Sequence, residues 1–145
     1  MEITVENQTG FPLPIDMLET IAESLTKKEI ELIICDNSTI KEINAEYRSK
    51  NAPTDVLSFP LEGDFDALPL GSIVMSSELI IQKAEELGHT PQEESILLFI
   101  HGLLHLLGYD HEVDNGEMRA REAQLIEAYD LPKSLIVRTE NKGHL

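Results

Sequence analysis

The segment from residue 90 to residue 108 constrains the fold of this chain more than any other. Thr90, Pro91 and Glu93 combine an N-cap hydroxyl, a proline at the first helical position and a glutamate three residues after the cap, so a helix is predicted to begin here. Residues 96–100 are apolar on every side of that helix. Such a helix must be surrounded by protein, and we expect it to form the centre of the core until Gly108 ends it.

The other elements are predicted from hydrophobic periodicity and turn residues. Strands are expected over residues 2–6, 31–35, 56–59 and 70–75, and further helices over residues 15–28, 38–50, 77–87 and 117–129. Asn37 or Ser38 is expected to cap the second helix. Five helices and about four strands in this order predict an α+β fold, an α/β-like sandwich with a small mixed sheet. A length of 145 residues predicts one domain over residues 1–145.

Acidic residues dominate the charge of the chain. Eleven Lys and Arg residues against 27 Asp and Glu residues give a formal net charge of −16, which argues against broad electrostatic capture of nucleic acid or of an anionic membrane. The N-terminal residues lack the pattern of a secretory signal, and the longest apolar run is too short to span a bilayer. Cys35 is the single cysteine and cannot form an internal disulfide. We therefore predict a cytoplasmic protein with no membrane partner.

Three of the five histidines fall within eleven residues at the end of the core helix. His101 and His105 are one helical turn apart and project from the same face, which is the spacing that lets two imidazoles bind one metal ion. Gly108 can take a positive φ and turn the chain back, so that His111 adds a third nitrogen. Two buried imidazoles in an otherwise apolar helix need polar partners, and a metal ion supplies one. These residues predict a metal site.

Three neutral imidazoles favour zinc, with nickel or copper as alternatives. They leave a fourth tetrahedral position for water, which is typical of hydrolytic rather than structural sites. The spacing equals that of the H-E-x-x-H-x-x-G-x-x-H zinc peptidases, but Gly102 replaces the glutamate that those enzymes use for proton transfer. Cleavage of an RNA phosphodiester depends strongly on charge stabilisation at the phosphoryl oxygens, so RNA is a better-suited substrate than a peptide for a metal ion with an arginine.

Two stretches of the chain resemble a known family. The run H-G-L-L-H-L-L-G-Y-D-H, residues 101–111, and the run N-A-E-Y-R-S-K-N-A-P-T-D-V-L-S-F-P, residues 44–60, are similar to the signatures of the bacterial YbeY family. The resemblance implies a zinc-dependent endoribonuclease specific for single-stranded RNA. It implies a role in rRNA maturation at the 3′ end of the small-subunit (16S) rRNA and in ribosome quality control. It also implies contacts with the small ribosomal subunit, a ribosomal protein and a ribosome-associated GTPase.

The resemblance assigns roles to individual residues. His101, His105 and His111 match the zinc ligands of the family, and Arg48 matches its functionally important arginine. The planar guanidinium of an arginine suits phosphate oxygens, although from the sequence alone Arg48 could equally be a surface residue paired with a nearby glutamate. Ser72 departs from the family pattern, where aspartate is frequent. Any role of that aspartate is therefore in doubt for this chain.

Substrate contacts are expected around Arg48. Asn44 lies one helical turn before it, and Asn44 and Lys50 are predicted to bind RNA. Residues 41–61 carry no net charge and residues 131–145 carry +2, whereas residues 1–40 carry −6 and residues 62–130 carry −12. RNA is therefore expected to approach along a narrow, relatively non-acidic path.

Two other functions remain open at this point. One is a zinc peptidase or amidase that takes its carboxylate from elsewhere in the fold, and the other is a ribosome-assembly adaptor in which zinc is only structural. Asp110 could orient a ligand imidazole or simply be solvated. His89 and His144 are expected to be ordinary surface residues.

Overall fold

A computed structural model describes residues 3–50, 52, 56–60, 69–110 and 114–131. Four strands and five helices lie within these residues, as the sequence predicts, and the α+β class is confirmed. The strands are β1 (Ile3–Asn7), β2 (Ile30–Cys35), β3 (Val56–Pro60) and β4 (Gly71–Ser76). The helices are α1 (Ile15–Leu25), α2 (Asn37–Arg48), α3 (Ser77–Leu87), α4 (Pro91–Leu106) and α5 (Glu117–Ala128).

The four strands form one mixed sheet in the order β1-β2-β4-β3. β1, β2 and β4 are parallel, with Ile30 opposite Gly71 in the central pair. β3 is antiparallel to β4 and lies at the sheet edge, with Val56 opposite Met75. The strand that follows α2 is therefore placed beside the strand that precedes α3 and α4, and this arrangement brings two distant parts of the sequence together.

The two faces of the sheet are covered by different helices. Side chains alternate along each strand, so Ile73 and Met75 join the large core cluster with α1, α4 and α5, whereas Val74 faces the other way. Val74 packs with Leu57, Cys35 and residues of α2 in a smaller cluster. The histidine-bearing helix α4 and the arginine-bearing helix α2 consequently lie on opposite faces of the sheet.

Helix α4 is the central helix that the sequence predicts. The Thr90 hydroxyl accepts a hydrogen bond from the Glu93 backbone N–H, and the Glu93 carboxylate accepts one from the Thr90 N–H, which together form a capping box. Every residue from Glu94 to Leu104 is buried. A helix buried over this length is held on several sides, so side chains that it carries have well-defined positions.

Most element boundaries lie within two residues of the prediction, and the differences at α1 and at the start of α2 have clear causes. Helix α1 ends at Leu25 rather than at residue 28, because Thr26 is extended and its hydroxyl accepts a hydrogen bond from the Lys28 backbone N–H. Helix α2 is capped by Asp36 rather than by Asn37 or Ser38. The Asp36 carboxylate accepts a hydrogen bond of 2.8 Å from the Thr39 N–H, which lowers the pKa of that carboxyl group.

The prediction that His89 is an ordinary surface residue is wrong. Its side chain is only 2% exposed, and its Nε2 lies 2.8 Å from Oε1 of Glu94, which is fully buried. Gly88 ends α3 with a φ of +77° and turns the chain towards α4. That turn carries the imidazole against the first turn of the next helix.

Cys35 is buried in the smaller cluster, as expected for a structural cysteine. Burial raises the pKa of its thiol to about 11, and the negative charge of Asp36 adds to the effect. The thiol therefore stays protonated at neutral pH and does not supply a nucleophile or a thiolate ligand. Within the described residues, no helix is both long enough and apolar enough to cross a membrane.

Candidate metal centre and its surroundings

The two histidines of α4 lie side by side at its C-terminal end. The ring centroids of His101 and His105 are 4.8 Å apart, and the ring planes are inclined by 76°. His101 is buried and His105 is half-buried, so the pair extends from the core towards the protein surface. The single-turn spacing therefore places both imidazoles together, as predicted.

A carboxylate from α5 holds the deeper histidine. Oε1 of Glu122 lies 3.1 Å from Nδ1 of His101, and both side chains are buried. A carboxylate oxygen accepts, so Nδ1 of His101 donates and carries the ring hydrogen. The other ring nitrogen, Nε2, is then the one with a lone pair, and it is also buried.

Glu122 is a residue that the sequence analysis missed, although a signal for it exists. Met118, Glu122 and Leu125 recur at helical spacing and all lie on the buried face of α5. A glutamate at such a position requires a polar partner inside the protein. The amphipathic pattern of α5 therefore pointed to a buried carboxylate, and the imidazole of His101 is its partner.

These residues fit a zinc ion by their donor chemistry. Two imidazoles stand close together, and the Glu122 carboxylate on Nδ1 fixes the tautomer of His101 that presents Nε2 to a metal. The third predicted ligand, His111, lies outside the described residues. Within the residues that the structure describes, no three His, Cys, Asp or Glu side chains gather into a ligand set. The assignment of His111 stays a prediction.

The turn that was predicted to bring His111 back does form. Gly108 has a φ of +102°, a conformation that favours glycine, and its N–H donates to the His105 carbonyl oxygen. The Tyr109 N–H donates to the Leu104 carbonyl oxygen and closes the end of the helix. Asp110 follows this turn and is exposed. The chain therefore leaves α4 immediately after the histidine pair.

Gly102 faces the sheet rather than the histidine pair. A Cβ atom at this position would lie 3.0 Å from Cγ2 of Ile73 and 3.1 Å from Oγ of Ser58. The Ser58 hydroxyl also donates a 3.1 Å hydrogen bond to the Gly102 carbonyl oxygen. The position that holds the general-base glutamate in zinc peptidases is therefore a glycine packed tightly against strands β3 and β4, so this chain has no such glutamate here.

The residues predicted to bind substrate lie at the end of α2 and after it. Asn44 is mostly buried, and its side-chain amide donates a 2.8 Å hydrogen bond to the Ala52 carbonyl oxygen. Lys50 is exposed. Arg48 is the last residue of α2, and its side chain lies outside the described part of the structure. Their contacts with RNA stay predictions, while Asn44 also holds the chain that leads to β3.

Ser72, where the sequence resemblance predicts an aspartate, lies in β4. Its hydroxyl donates a 2.7 Å hydrogen bond to Oε1 of Glu31 on the neighbouring strand β2. An aspartate at this position would stand directly opposite another carboxylate, and like charges on paired strands are destabilising. A serine is therefore compatible with the pairing of β2 and β4, which an aspartate would destabilise.

Comparison with known proteins identifies the class. A family model described as Endoribonuclease YbeY matches residues 7–130. Proteins named Endoribonuclease YbeY from Sulfurovum sp. (strain NBC37-1) and Nautilia profundicola are 55% and 53% identical to this chain. The first alignment covers 95% of this chain and 97% of the relative, and the second covers 96% and 99%. The Campylobacter jejuni protein of the same name is 57% identical over 86% of this chain and 92% of its own length.

The fold is also similar to a solved structure. The solution structure of TM1509 from Thermotoga maritima aligns with a TM-score of 0.59 and 25% sequence identity, over 97% of this chain and 93% of that one. Together with the curated relatives, these findings define a hydrolase of the nuclease class. The chain belongs to the YbeY family of endoribonucleases, and its substrate is RNA.

Proposed function

We propose that this endoribonuclease is a zinc enzyme that cleaves single-stranded RNA in the maturation of rRNA, at the 3′ end of small-subunit rRNA, and in ribosome quality control. The observation that carries the zinc proposal is the imidazole pair of α4, with a buried glutamate on Nδ1 of its deeper member. Placement in the cytoplasm and contacts with the small subunit, a ribosomal protein and a ribosome-associated GTPase belong to the same proposal.

Each proposed site residue has a different role in RNA cleavage. His101, His105 and His111 would hold the zinc ion, which when bound supplies Lewis acidity and an activated nucleophile. Arg48 would place its guanidinium on the phosphoryl oxygens, where negative charge grows during cleavage. Glu122, which is buried, would orient His101 through its contact with Nδ1. Gly102 supplies no carboxylate, so the chain would rely on charge stabilisation.

Two measurements test the proposal: the metal content of the protein and its preference for single-stranded over duplex RNA. Purified protein is expected to contain about one zinc ion per chain, because the site uses three imidazoles from a single chain. It is expected to cleave a single-stranded rRNA fragment and to leave the same sequence intact when it is annealed to its complement. Elemental analysis and gel electrophoresis of the products measure both. Equal cleavage of duplex and single strand would contradict the substrate preference, and active protein without any transition metal would contradict the zinc site.

Replacing Glu122 with glutamine is expected to weaken zinc binding about 10- to 100-fold. Glutamine has nearly the same size but no charge, so His101 loses the carboxylate that orients its ring and increases its basicity as a ligand. Competition with a fluorescent chelator measures the affinity. Glu127→Gln, at an exposed position of the same helix, is the matched control and should bind zinc as the unmodified protein does. Equal affinities for both variants would show that Glu122 does not act on the ligand.

A further inference from the structure

An aromatic side chain at the end of α2 is unusually exposed. Tyr47 is 66% exposed, which is the largest value among the exposed large hydrophobic residues in the described ranges. Its ring contacts the ring of Phe59 on β3, with centroids 5.4 Å apart and planes inclined by 64°. Phe59 in turn packs against the smaller core cluster. The edge-to-face contact therefore supports Tyr47 from one side and leaves much of the ring open to solvent.

The edge strand β3, which carries Phe59, also contacts the helix that carries the histidines, but through its opposite face. Phe59 follows Ser58, whose hydroxyl donates to the carbonyl oxygen of Gly102. Gly102 follows His101 in the chain, and Tyr47 precedes Arg48. The two rings therefore lie on the α2 face of β3, next in the chain to the proposed phosphate-binding arginine and to the serine that contacts α4.

The sequence segment that contains both rings also has a different net charge from the rest of the chain. Residues 41–60, which include both rings, carry three positive and three negative charges, whereas the whole chain carries −16. A polyanion that is repelled by most of this acidic chain meets no net repulsion from this segment. An exposed aromatic ring in the one neutral stretch between acidic regions is suited to a nucleobase, because every base has a π-face that stacks on such a ring.

We propose that Tyr47, supported by Phe59, is a stacking platform for one base of the RNA substrate. The inference rests on the proposed cleavage of single-stranded RNA and adds a physical source for that preference. Bases of a duplex are stacked on one another and cannot open onto a protein ring, whereas an unpaired base can. Stacking reads no hydrogen-bonding edge, so the platform would select single strands without selecting a particular sequence.

Substitutions at position 47 separate stacking from other contributions. Tyr47→Ala and Tyr47→Leu are expected to raise KM for a single-stranded RNA oligomer about 5- to 150-fold, with kcat changed little. Tyr47→Phe keeps the ring and should stay within about twofold of the unmodified protein. Ile81→Ala is the matched control, because Ile81 is 48% exposed on α3 and takes no part in the platform. Thermal melts confirm that each variant is folded.

A binding measurement keeps this inference separate from the cleavage chemistry. The chain has three tyrosines and no tryptophan, so its fluorescence reports on tyrosine. Binding of an uncleavable 2′-O-methyl oligomer is expected to quench this fluorescence in the unmodified protein, and Tyr47→Phe is expected to lose most of the quench. Loss of cleavage with the quench intact would overturn the proposed function and leave the platform supported. A Tyr47→Ala variant with unchanged KM, a leucine variant as good as tyrosine, or no quench would overturn the platform.

Discussion

Replacing Arg48 with alanine is expected to lower the rate of RNA cleavage about 100- to 1,000-fold without loss of bound zinc. The guanidinium offers two parallel hydrogen bonds to phosphoryl oxygens, and it carries a charge that alanine does not replace. Arg48 ends α2, which is anchored at its start by the Asp36 cap and at its end by the Asn44 hydrogen bond to Ala52. Single-turnover cleavage of a labelled single-stranded RNA measures the effect, with zinc content determined on the same sample.

Two control variants sharpen this experiment. Arg48→Lys keeps the charge but not the planar fork, and it should recover only part of the activity. Lys83→Ala removes one positive charge from an exposed position on α3 and should leave cleavage unchanged. If Arg48→Ala cleaves as fast as Lys83→Ala, the arginine has no part in the chemistry and is a surface residue of the kind left open by the sequence.

Removal of the metal is expected to lower cleavage by at least about three orders of magnitude. Dialysis against a chelator should yield inactive protein, and readdition of zinc should restore activity. Magnesium should not restore it, because that ion prefers oxygen ligands and the proposed site consists of imidazoles. His105→Ala should abolish zinc binding and cleavage together, while the half-buried position of His105 allows the helix to form.

The outcome that contradicts a metal mechanism is clear. If metal-free protein, verified by elemental analysis, cleaves RNA at the full rate, the metal has no part in the reaction. A different result, in which His105→Ala loses zinc and melts at a lower temperature but cleaves normally, would mean that zinc only connects α4 to the segment that follows it. Each result selects one of the roles that three clustered histidines can have.

The parts of the fold that the sequence predicts are those with local causes. The capping box at Thr90, the glycine turn at Gly108 and the single-turn histidine spacing depend on neighbouring residues, and all are present. The Asp36 cap was missed because Asn37 and Ser38 are equally good capping residues, and the choice depends on where β2 ends. Local signals could not decide between such neighbours.

The partners of the site depend on distant contacts, and for this reason most of them could not be predicted. Glu122 reaches His101 across 21 residues, and Ser58 reaches Gly102 across 44. Neither pairing follows from spacing along one element. The burial of His89 was missed for a different reason, because its partner Glu94 is only five residues away but the sequence does not show how the turn between α3 and α4 orients the ring. Burial on an amphipathic face could have indicated that Glu122 needed a partner, but not which one.

The sequence separations of two contacts lead us to expect an order in which the parts of the enzyme form. The imidazole pair and its glutamate come from α4 and α5, which are consecutive in the chain, so this half requires only short loop closure. The half that carries Arg48 and Tyr47 is joined to α4 by the Ser58 hydrogen bond to Gly102, which spans 44 residues. Contacts over such separations form slowly relative to local ones. A newly made chain would therefore be able to take up metal before it is able to cut RNA.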